Sequence, residues 1–274
     1  MLRQGGYPKA RVGHGGTLDP LASGVLPIAI GEATKLSGRM LDADKAYDFT
    51  IQFGVETDTL DGEGVRIATS DKRPTLVEVE AILPRFTGPI DQLPPAYSAL
   101  KIDGKRAYDL ARAGEEVVLA TRRVTIHSLS IVAANGEVLE EVTLSARVSK
   151  GTYIRSLARD IAQALGTVGH VTMLRRTKAG PFALEKAISL DILEEAARAV
   201  ELQKLLLPLT AGLDDIPVLA VSPDQATALR QGRRLDGTAA PPGLNLAMLG
   251  QTPVALVEVD TDVKVVRGFN LMSE

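Results

Sequence analysis

Alternating apolar and polar residues predict β-strands along the chain. In residues 45–53, Tyr47, Phe49, Ile51 and Phe53 share one face and are all apolar or aromatic. Similar alternation predicts a strand over residues 141–148, and a further strand is predicted around residues 123–132. The apolar run VLPIAIG at residues 25–31 predicts a short buried strand. These segments are separated by turn-rich or helical stretches, which is typical of a mixed, mainly antiparallel sheet.

Apolar residues at helical spacing and capping residues predict the helices. Four apolar residues share one helical face before Gly166, which is a typical helix end: Ile154, Leu157, Ile161 and Leu165. Thr75 and Glu78 have the spacing of a capping box, so a helix begins after Thr75. Further helices are predicted over residues 32–41, 105–113, 185–207 and, between Ser222 and Gly232, in the C-terminal part.

The predicted fold class is α+β, with two domains. Residues 1–212 are expected to form a mixed, mainly antiparallel domain. The segment LLLPLTAGLDDIP is typical of a linker, and the chain is β-rich and turn-rich after residue 218. Residues 213–274 are therefore expected to form a small β-rich domain.

The composition excludes several kinds of chemistry. The chain has no cysteine, so disulfides, thiol nucleophiles and cysteine-ligated metals are excluded. Its three histidines are far apart and form no metal-ligand pattern. Carboxylates, hydroxyls and phenols remain as reactive groups. No apolar run is long enough for a membrane span and the first residues have no apolar signal core, so a cytoplasmic protein without a membrane partner is expected.

Charge is distributed unevenly along an acidic chain. The formal net charge is −3, yet residues 147–178 hold seven Lys or Arg and a single acid, while residues 54–82 hold seven Asp or Glu and three Lys or Arg. A local basic face of this kind binds phosphates even on an acidic protein. The two segments could instead pair with each other, and the sequence leaves both interpretations open.

The segment GHGGTLDPLASGVLP at residues 13–27 carries the clearest candidate for chemistry. Asp19 precedes Pro20, which disfavours helical backbone at Asp19 and favours an extended conformation. A carboxylate on a loop restricted by two prolines is preorganised, as a reacting group should be. From spacing alone, the favoured interpretation is structural: Asp19 only caps the turn that begins at Pro20.

The same segment resembles the signature of the TruB family of tRNA pseudouridine-55 synthases, and the resemblance covers nearly the whole chain. The C-terminal part is more weakly similar to the small RNA-binding domain of the PUA type. Family members usually carry an early strand before the signature. Met1 falls just before the signature here, so this strand region is expected to be missing. Gly15 and Ser23 stand where the family often has threonines. The resemblance continues in order through DKAYDFTIQFGVETDTLDGEG, QLPPAYSALKIDGKRAYDLARAG, SKGTYIRSLARDIAQALG, GHVTMLRRTKAGPF and GRRL.

The resemblance implies a pseudouridine-synthase catalytic domain that isomerises uridine at position 55 in the tRNA T-loop. Base flipping would expose the uridine, and neither cofactor nor metal would be needed. The expected partner is the T-arm of tRNA, bound by a monomer. Asp19 would be the nucleophile, paired with Arg155, and Tyr47 the active-site tyrosine. Residues implied or proposed to bind the RNA are His14, Tyr153, Leu174, Lys101, Lys150, Arg175, Arg176 and Lys178; the last five are candidates for phosphate contacts.

Two other functions are alternatives to this interpretation. A non-catalytic RNA-binding or RNA-folding protein on the same scaffold would not need the set Asp19, Tyr47 and Arg155. A glycoside hydrolase commonly uses two carboxylates about 5–10 Å apart, and the signature segment offers only Asp19.

Overall fold

The computed structural model describes residues 1–98, 100–102, 104–115, 119–237 and 240–271, apart from the side chains of Lys101, Ile102, Arg106 and Ala111. Its strands, in chain order, are β1 (Val12–His14), β2 (Ser23–Gly24), β3 (Ile28–Ile30), β4 (Lys45–Phe53), β5 (Val55–Thr57), β6 (Arg66–Thr69), β7 (Gly88–Gln92), β8 (Lys101–Ile102), β9 (Lys105–Arg106), β10 (Arg122–Ala134), β11 (Glu141–Val148), β12 (Gly169–Ala179), β13 (Phe182–Ala183), β14 (Val218–Ala220), β15 (Leu235–Asp236), β16 (Gly243–Leu249), β17 (Thr252–Val259) and β18 (Asp262–Gly268).

The helices are shorter elements between these strands. The α-helices are α1 (Ser37–Asp42), α2 (Leu76–Ile82), α3 (Ala107–Arg112), α4 (Ile154–Ala164), α5 (Leu190–Arg198) and α6 (Pro223–Arg230). Short stretches of 3-10 helix cover Gly31–Leu36, Leu83–Phe86, Leu184–Lys186, Leu202–Leu205 and Leu209–Gly212. None of the described helices has both the length and the apolar character needed to cross a membrane.

The chain folds into two compact units, each assembled from separate parts of the sequence. The central unit, named for its place in the sequence, comprises Thr17–Leu26 and Asp42–Glu185. The terminal unit comprises Met1–Gly16, Pro27–Leu41 and Lys186–Glu274. This division differs from the expected boundary at residue 212, because apolar residues before and after that point share one core: Leu36, Leu213, Ile216, Leu246, Leu256 and Phe269.

A seven-stranded, mainly antiparallel sheet forms the middle of the central unit. Its order is β13-β12-β4-β11-β10-β7, with β2 beside β12 as the parallel pair. The strands β4, β10 and β11 confirm the three strands predicted around residues 45–53, 123–132 and 141–148. Alternation predicts β4 and β11 because one face of each of these strands is buried under neighbouring elements.

Helix α4 covers this sheet with the apolar face that its sequence predicts. Ile154, Leu157 and Ile161 are buried in the same core as Phe49 and Ile51 of β4. Burial of each such side chain contributes about 1.5–3 kcal/mol relative to exposure. The core therefore fixes the direction of α4, and with it the position of the polar residues in its first turn.

The terminal unit contains a five-stranded sheet in the order β14-β16-β17-β18-β15. Helix α6 begins with the capping box of Ser222 and Gln225 and buries Ala226 and Leu229 in the core of this sheet. The C-terminal part is thus β-rich, as the sequence predicts.

Some predicted elements are wrong in extent. Residues 185–207 form only α5 with a 3-10 turn on either side, because Val200 adopts a left-handed φ of 57° that no α-helix continues through. Residues 32–41 lie in a 3-10 turn followed by α1, and the strand expected in VLPIAIG is reduced to β3, where Ile28 is 52% exposed.

Candidate active site

The loop that carries Asp19 is attached to the edge of the central sheet. The Asp19 carbonyl accepts a hydrogen bond from the Ala22 N–H (2.8 Å), which closes a turn around Pro20. After this turn β2 pairs in parallel with Arg175 and Arg176 of β12. The turn uses the backbone of Asp19, and its carboxylate remains available for another partner.

Glycine is required where the loop touches the sheet. Gly24 has a φ of +99°, and a Cβ at this position would lie 2.2 Å from the Arg176 carbonyl oxygen. The close approach lets the Val25 N–H donate to that same carbonyl (2.8 Å). A side chain at residue 24 would therefore separate the loop from β12.

The partner of the Asp19 carboxylate is Arg155, in the first turn of α4. Nε of Arg155 donates to Oδ2 of Asp19 at 2.8 Å. The two residues are 136 positions apart, and the predicted ion pair is confirmed as geometry. The Asp19 side chain is 35% exposed, whereas the Arg155 side chain is only 6% exposed. The cation is thus the buried partner and the carboxylate faces outward.

Arg155 also holds three further groups with the remaining nitrogens of its guanidinium. Nη1 donates to the Thr59 carbonyl (2.7 Å) and lies 3.4 Å from Oδ2 of Asp61, while Nη2 donates to the Tyr97 carbonyl (3.0 Å). Asp61 is 4% exposed. A buried arginine therefore connects the Asp19 loop with a second, deeply buried carboxylate and two backbone segments.

The sequence pattern TDTLDGEG indicates only a turn-rich loop and does not distinguish Asp61. In the structure Oδ1 of Asp61 accepts from the Thr59 hydroxyl (2.6 Å) and the Glu63 N–H (3.1 Å). Leu60 beside it takes a left-handed φ of 63° although it is not a glycine. Such backbone costs about 1–3 kcal/mol and is found where surrounding contacts enforce it. These contacts hold Asp61 against Arg155.

The N-terminus of α4 is positioned by a buried glutamine. Gln92 is fully buried and binds the backbone of Tyr153 twice, accepting from its N–H (2.7 Å) and donating to its carbonyl (3.0 Å). The Arg122 guanidinium lies 5.9 Å from the centre of the Tyr153 ring. Burial raises the pKa of the Tyr153 phenol, and the nearby Arg122 charge opposes this rise. Gln92 thereby fixes the residue that precedes the arginine-bearing helix.

Tyr47 lies on β4 with Arg176 of β12 as its direct cross-strand partner. Residues paired in this way place their side chains on the same face of the sheet, close together. Burial raises the pKa of the Tyr47 phenol, the positive charge of Arg176 acts in the opposite direction, and the negative charge of Asp19 raises the pKa further. The phenol is thus electrostatically coupled to both Asp19 and Arg176.

Arg176 is buried, whereas the expected phosphate contact requires a surface position. Its residue exposure is 2%. Its Nε donates to the Val25 carbonyl (2.6 Å) and its Nη1 to the Thr17 carbonyl (3.0 Å). The side chain therefore binds the backbone of the Asp19 loop at two points.

Leu174 is also buried, two residues earlier on β12, with Phe49 of β4 as its cross-strand partner. It belongs to the same apolar core as α4, and Tyr47 packs against this core. Its expected contact with a uracil stays a prediction.

The other basic candidates differ in their surroundings. Arg175 and Lys178 are exposed on β12, and within the described residues neither forms an ion pair. Lys150 forms an exposed pair with Asp42 (3.0 Å). Lys101 lies on β8, and its side chain is outside the described part of the structure. His14 is exposed at the end of β1 in the terminal unit.

The acidic and basic segments do not neutralise each other residue by residue. Among the described residues, one ion pair links segment 54–82 to segment 147–178, and it joins Asp61 to Arg155. No group of three or more His, Asp or Glu side chains that could hold a metal ion occurs among the described residues.

Comparison with known proteins assigns the family. The model described as TruB family pseudouridylate synthase (N terminal domain) matches residues 5–154, and the model described as tRNA pseudouridylate synthase B C-terminal domain matches residues 155–214. The chain belongs to the TruB family of pseudouridylate synthases and is an enzyme of this class.

Individual relatives are similar over almost the whole chain. The tRNA pseudouridine synthase B of Novosphingobium aromaticivorans is 64% identical over 273 residues, which cover 98% of this chain and 90% of that protein. The protein of the same name from Zymomonas mobilis subsp. mobilis is 61% identical, with 98% and 88% covered.

Solved structures share the fold at lower identity. A structure of an H/ACA RNP bound to a substrate RNA containing 2'-deoxyuridine aligns with a TM-score of 0.68 at 23% identity, covering 94% of this chain and 76% of that one. A Cbf5-Nop10-Gar1 complex aligns with a TM-score of 0.67 at 26% identity and the same coverage. The mixed, mainly antiparallel fold is thus that of pseudouridine synthases.

Proposed function

We propose that the chain converts uridine to pseudouridine in tRNA, at position 55 of the T-loop, with Asp19 as the reacting carboxylate. The observation that carries this proposal is the partly exposed Asp19 held at 2.8 Å by the buried Arg155. The relatives named tRNA pseudouridine synthase B support tRNA as the substrate.

The reaction requires a bond exchange without any external reagent. The N1–C1′ bond of the nucleoside breaks, a C5–C1′ bond forms, C5 loses a proton and N1 gains one. Asp19 serves this chemistry as the carboxylate nucleophile. Arg155 binds Oδ2, and within the described residues Oδ1 accepts no hydrogen bond, so Oδ1 is the oxygen available as nucleophile. No cofactor is needed for these steps.

Tyr47, Tyr153 and Leu174 are proposed to receive the flipped uracil. Stacking of a base on an aromatic ring is worth about 1–3 kcal/mol, and Tyr47 presents such a ring beside Asp19. Its hydroxyl is suited to proton transfer at C5. Extrusion of the base costs a few kcal/mol, and His14 is proposed to brace the vacated stack in the RNA loop.

The exposed basic residues on β12 are proposed to position the RNA backbone. Arg175 and Lys178 are the leading candidates for phosphate contacts, with Lys101 and Lys150 as further ones. Residues 213–274 are proposed as a PUA-like RNA-binding domain, and the protein is proposed to bind the T-arm as a monomer in the cytoplasm.

The test is a modification assay on a uridine-containing tRNA transcript, with pseudouridine mapped by carbodiimide treatment and primer extension. The wild-type protein should give one stop, at position 55. Asp19→Asn should abolish it while tRNA affinity stays within about tenfold, or 1.4 kcal/mol. Asp215→Asn, which changes an exposed aspartate in a surface pair with Arg39, is the matched control and should leave the stop unchanged.

Two outcomes would contradict the proposal. An Asp19→Asn protein that retained more than a small fraction of the wild-type rate would remove Asp19 from its role. A wild-type protein that bound the transcript but left every uridine unmodified would instead be an RNA-folding protein without catalysis.

A further inference from the structure

Arg176 occupies a position that the proposed reaction does not explain. It is the largest of the fully buried side chains in the described chain, and buried arginines are rare unless their donors are satisfied. Two of its nitrogens bind carbonyls at the two ends of the Asp19 loop, Thr17 and Val25. Its own carbonyl accepts the Val25 N–H. Arg176 is thus bound to the loop by both side chain and backbone.

One nitrogen of the same guanidinium is not accounted for. Nη2 is buried and meets no described acceptor in good hydrogen-bond geometry, although Arg176 lies close enough to the Tyr47 hydroxyl for a side-chain hydrogen bond to lower the Tyr47 pKa. An unsatisfied buried donor on a charged group is costly, so its persistence needs a reason. The candidate acceptor is on the adjacent strand: Tyr47 is the direct partner of Arg176 in the register of β4 and β12.

We propose that Arg176 is a positioning residue that fixes the Asp19 loop relative to Tyr47 and keeps its Nη2 donor available for the Tyr47 oxygen during catalysis. This inference rests on the proposed function. A single planar guanidinium can bind two loop carbonyls and still direct a third donor elsewhere, which an ammonium cannot. The relative position of nucleophile and phenol would therefore depend on this one side chain.

The electrostatic setting agrees with this role. Burial raises the pKa of Tyr47, and the Arg176 charge is the main influence that opposes the rise. Any step in which the phenol oxygen gains negative charge is favoured by a cation beside it in a water-poor site. Loss of the charge at residue 176 should therefore make the phenol harder to ionise.

The experiment compares Arg176→Gln and Arg176→Lys with the wild type. The matched control is Arg147→Gln, which removes an exposed arginine of strand β11, in the same sheet, that pairs with Asp44. Tyrosine labelled with ¹³C at Cζ reports the ionisation of each phenol by NMR, and Tyr47→Phe assigns the Tyr47 signal. Single-turnover rates on a tRNA transcript and tRNA affinity are measured in parallel.

In Arg176→Gln the Tyr47 signal should titrate at higher pH than in the wild type and in Arg147→Gln. The single-turnover rate should fall by roughly 10- to 100-fold, as expected when an interaction with a charged group is lost, while tRNA affinity changes little. Arg176→Lys should keep the Tyr47 titration near the wild-type pH but lose rate, because one ammonium cannot hold both carbonyls.

Either of two results would overturn the inference. One is an Arg176→Gln protein whose Tyr47 titrates as in Arg147→Gln. The other is an Arg176→Lys protein with the full wild-type rate, which decides the question even where Arg176→Gln does not fold. The titration needs no RNA, so a protein that failed to modify tRNA would still report whether Arg176 and Tyr47 are coupled.

Discussion

Removal of Arg155 should destabilise the protein as well as inactivate it. Arg155→Ala deletes a guanidinium that contacts two carboxylates and two backbone carbonyls. Asp61 is 4% exposed and would be left without its cation in a site that water hardly reaches. Asp19 is 35% exposed and would be partly hydrated instead. The penalty therefore falls mainly on Asp61.

The expected size of the loss follows from this burial. Breaking a buried ion pair by deletion of one partner costs about 3–5 kcal/mol, because the remaining charge is uncompensated. Asp61 retains hydrogen bonds from Thr59 and the Glu63 N–H, which places the expected loss near the lower end. A neutral side chain at residue 61 should relieve part of it, so Arg155→Ala/Asp61→Asn should be more stable than Arg155→Ala.

Urea denaturation followed by far-ultraviolet circular dichroism measures these free energies of unfolding. Arg147→Ala is the control, because its ion pair with Asp44 is 61% and 39% exposed and should be worth no more than about 1 kcal/mol. An Arg155→Ala protein as stable as this control, or a double variant no more stable than Arg155→Ala, would refute the reasoning. Catalysis by Arg155→Ala at the normal rate would refute the role of the pair.

Three further changes test other parts of the structure. Gly24→Ala should lower the free energy of unfolding by at least about 1–3 kcal/mol because of its positive φ, and it should inactivate the protein. Gly38→Ala, where a Cβ meets open space, should be tolerated. Thermal unfolding and the modification assay measure both variants. Arg175→Ala and Lys178→Ala should each reduce the slope of log K against log salt for tRNA binding by up to about one unit, and unchanged slopes would contradict phosphate contacts. Burial raises the pKa of Asp160, so the folded state binds its proton more tightly than the unfolded chain and stability falls as pH rises through that pKa. Asp160→Asn should therefore gain thermal stability relative to wild type as pH rises above about 4, and a constant difference would contradict this.

Local patterns predicted the elements whose burial is regular. Strand β4 and helix α4 each bury one continuous face, so alternation and helical spacing both appear in the sequence. The Asp19–Arg155 pair joins residues too distant for any local pattern, and it could be predicted only through resemblance to a family.

Strand β12 shows why the rest could not be predicted. Its pairing with β4 shifts register between Val171 and Met173 and again between Arg176 and Lys178. Each such irregularity displaces the alternation of side chains by one position. Between the two shifts adjacent residues still point to opposite faces, so Arg175 is exposed and Arg176 is buried, yet two neighbouring arginines look alike in the sequence. The burial of Asp61 likewise depends on Val171 of β12, with which it forms an isolated bridge.

Two buried arginines hold the Asp19 loop by different means, and the division has a chemical consequence. Arg155 binds the Asp19 carboxylate, whereas Arg176 binds the loop backbone at Thr17 and Val25. If one residue performed both tasks, any movement of the carboxylate during bond exchange would loosen the loop as well. With separate anchors the carboxylate can change partners while the backbone that carries it stays in place. A reaction that uses no external reagent depends on such fixed geometry for its rate, because positioning and preorganised charge are the contributions that remain to the protein.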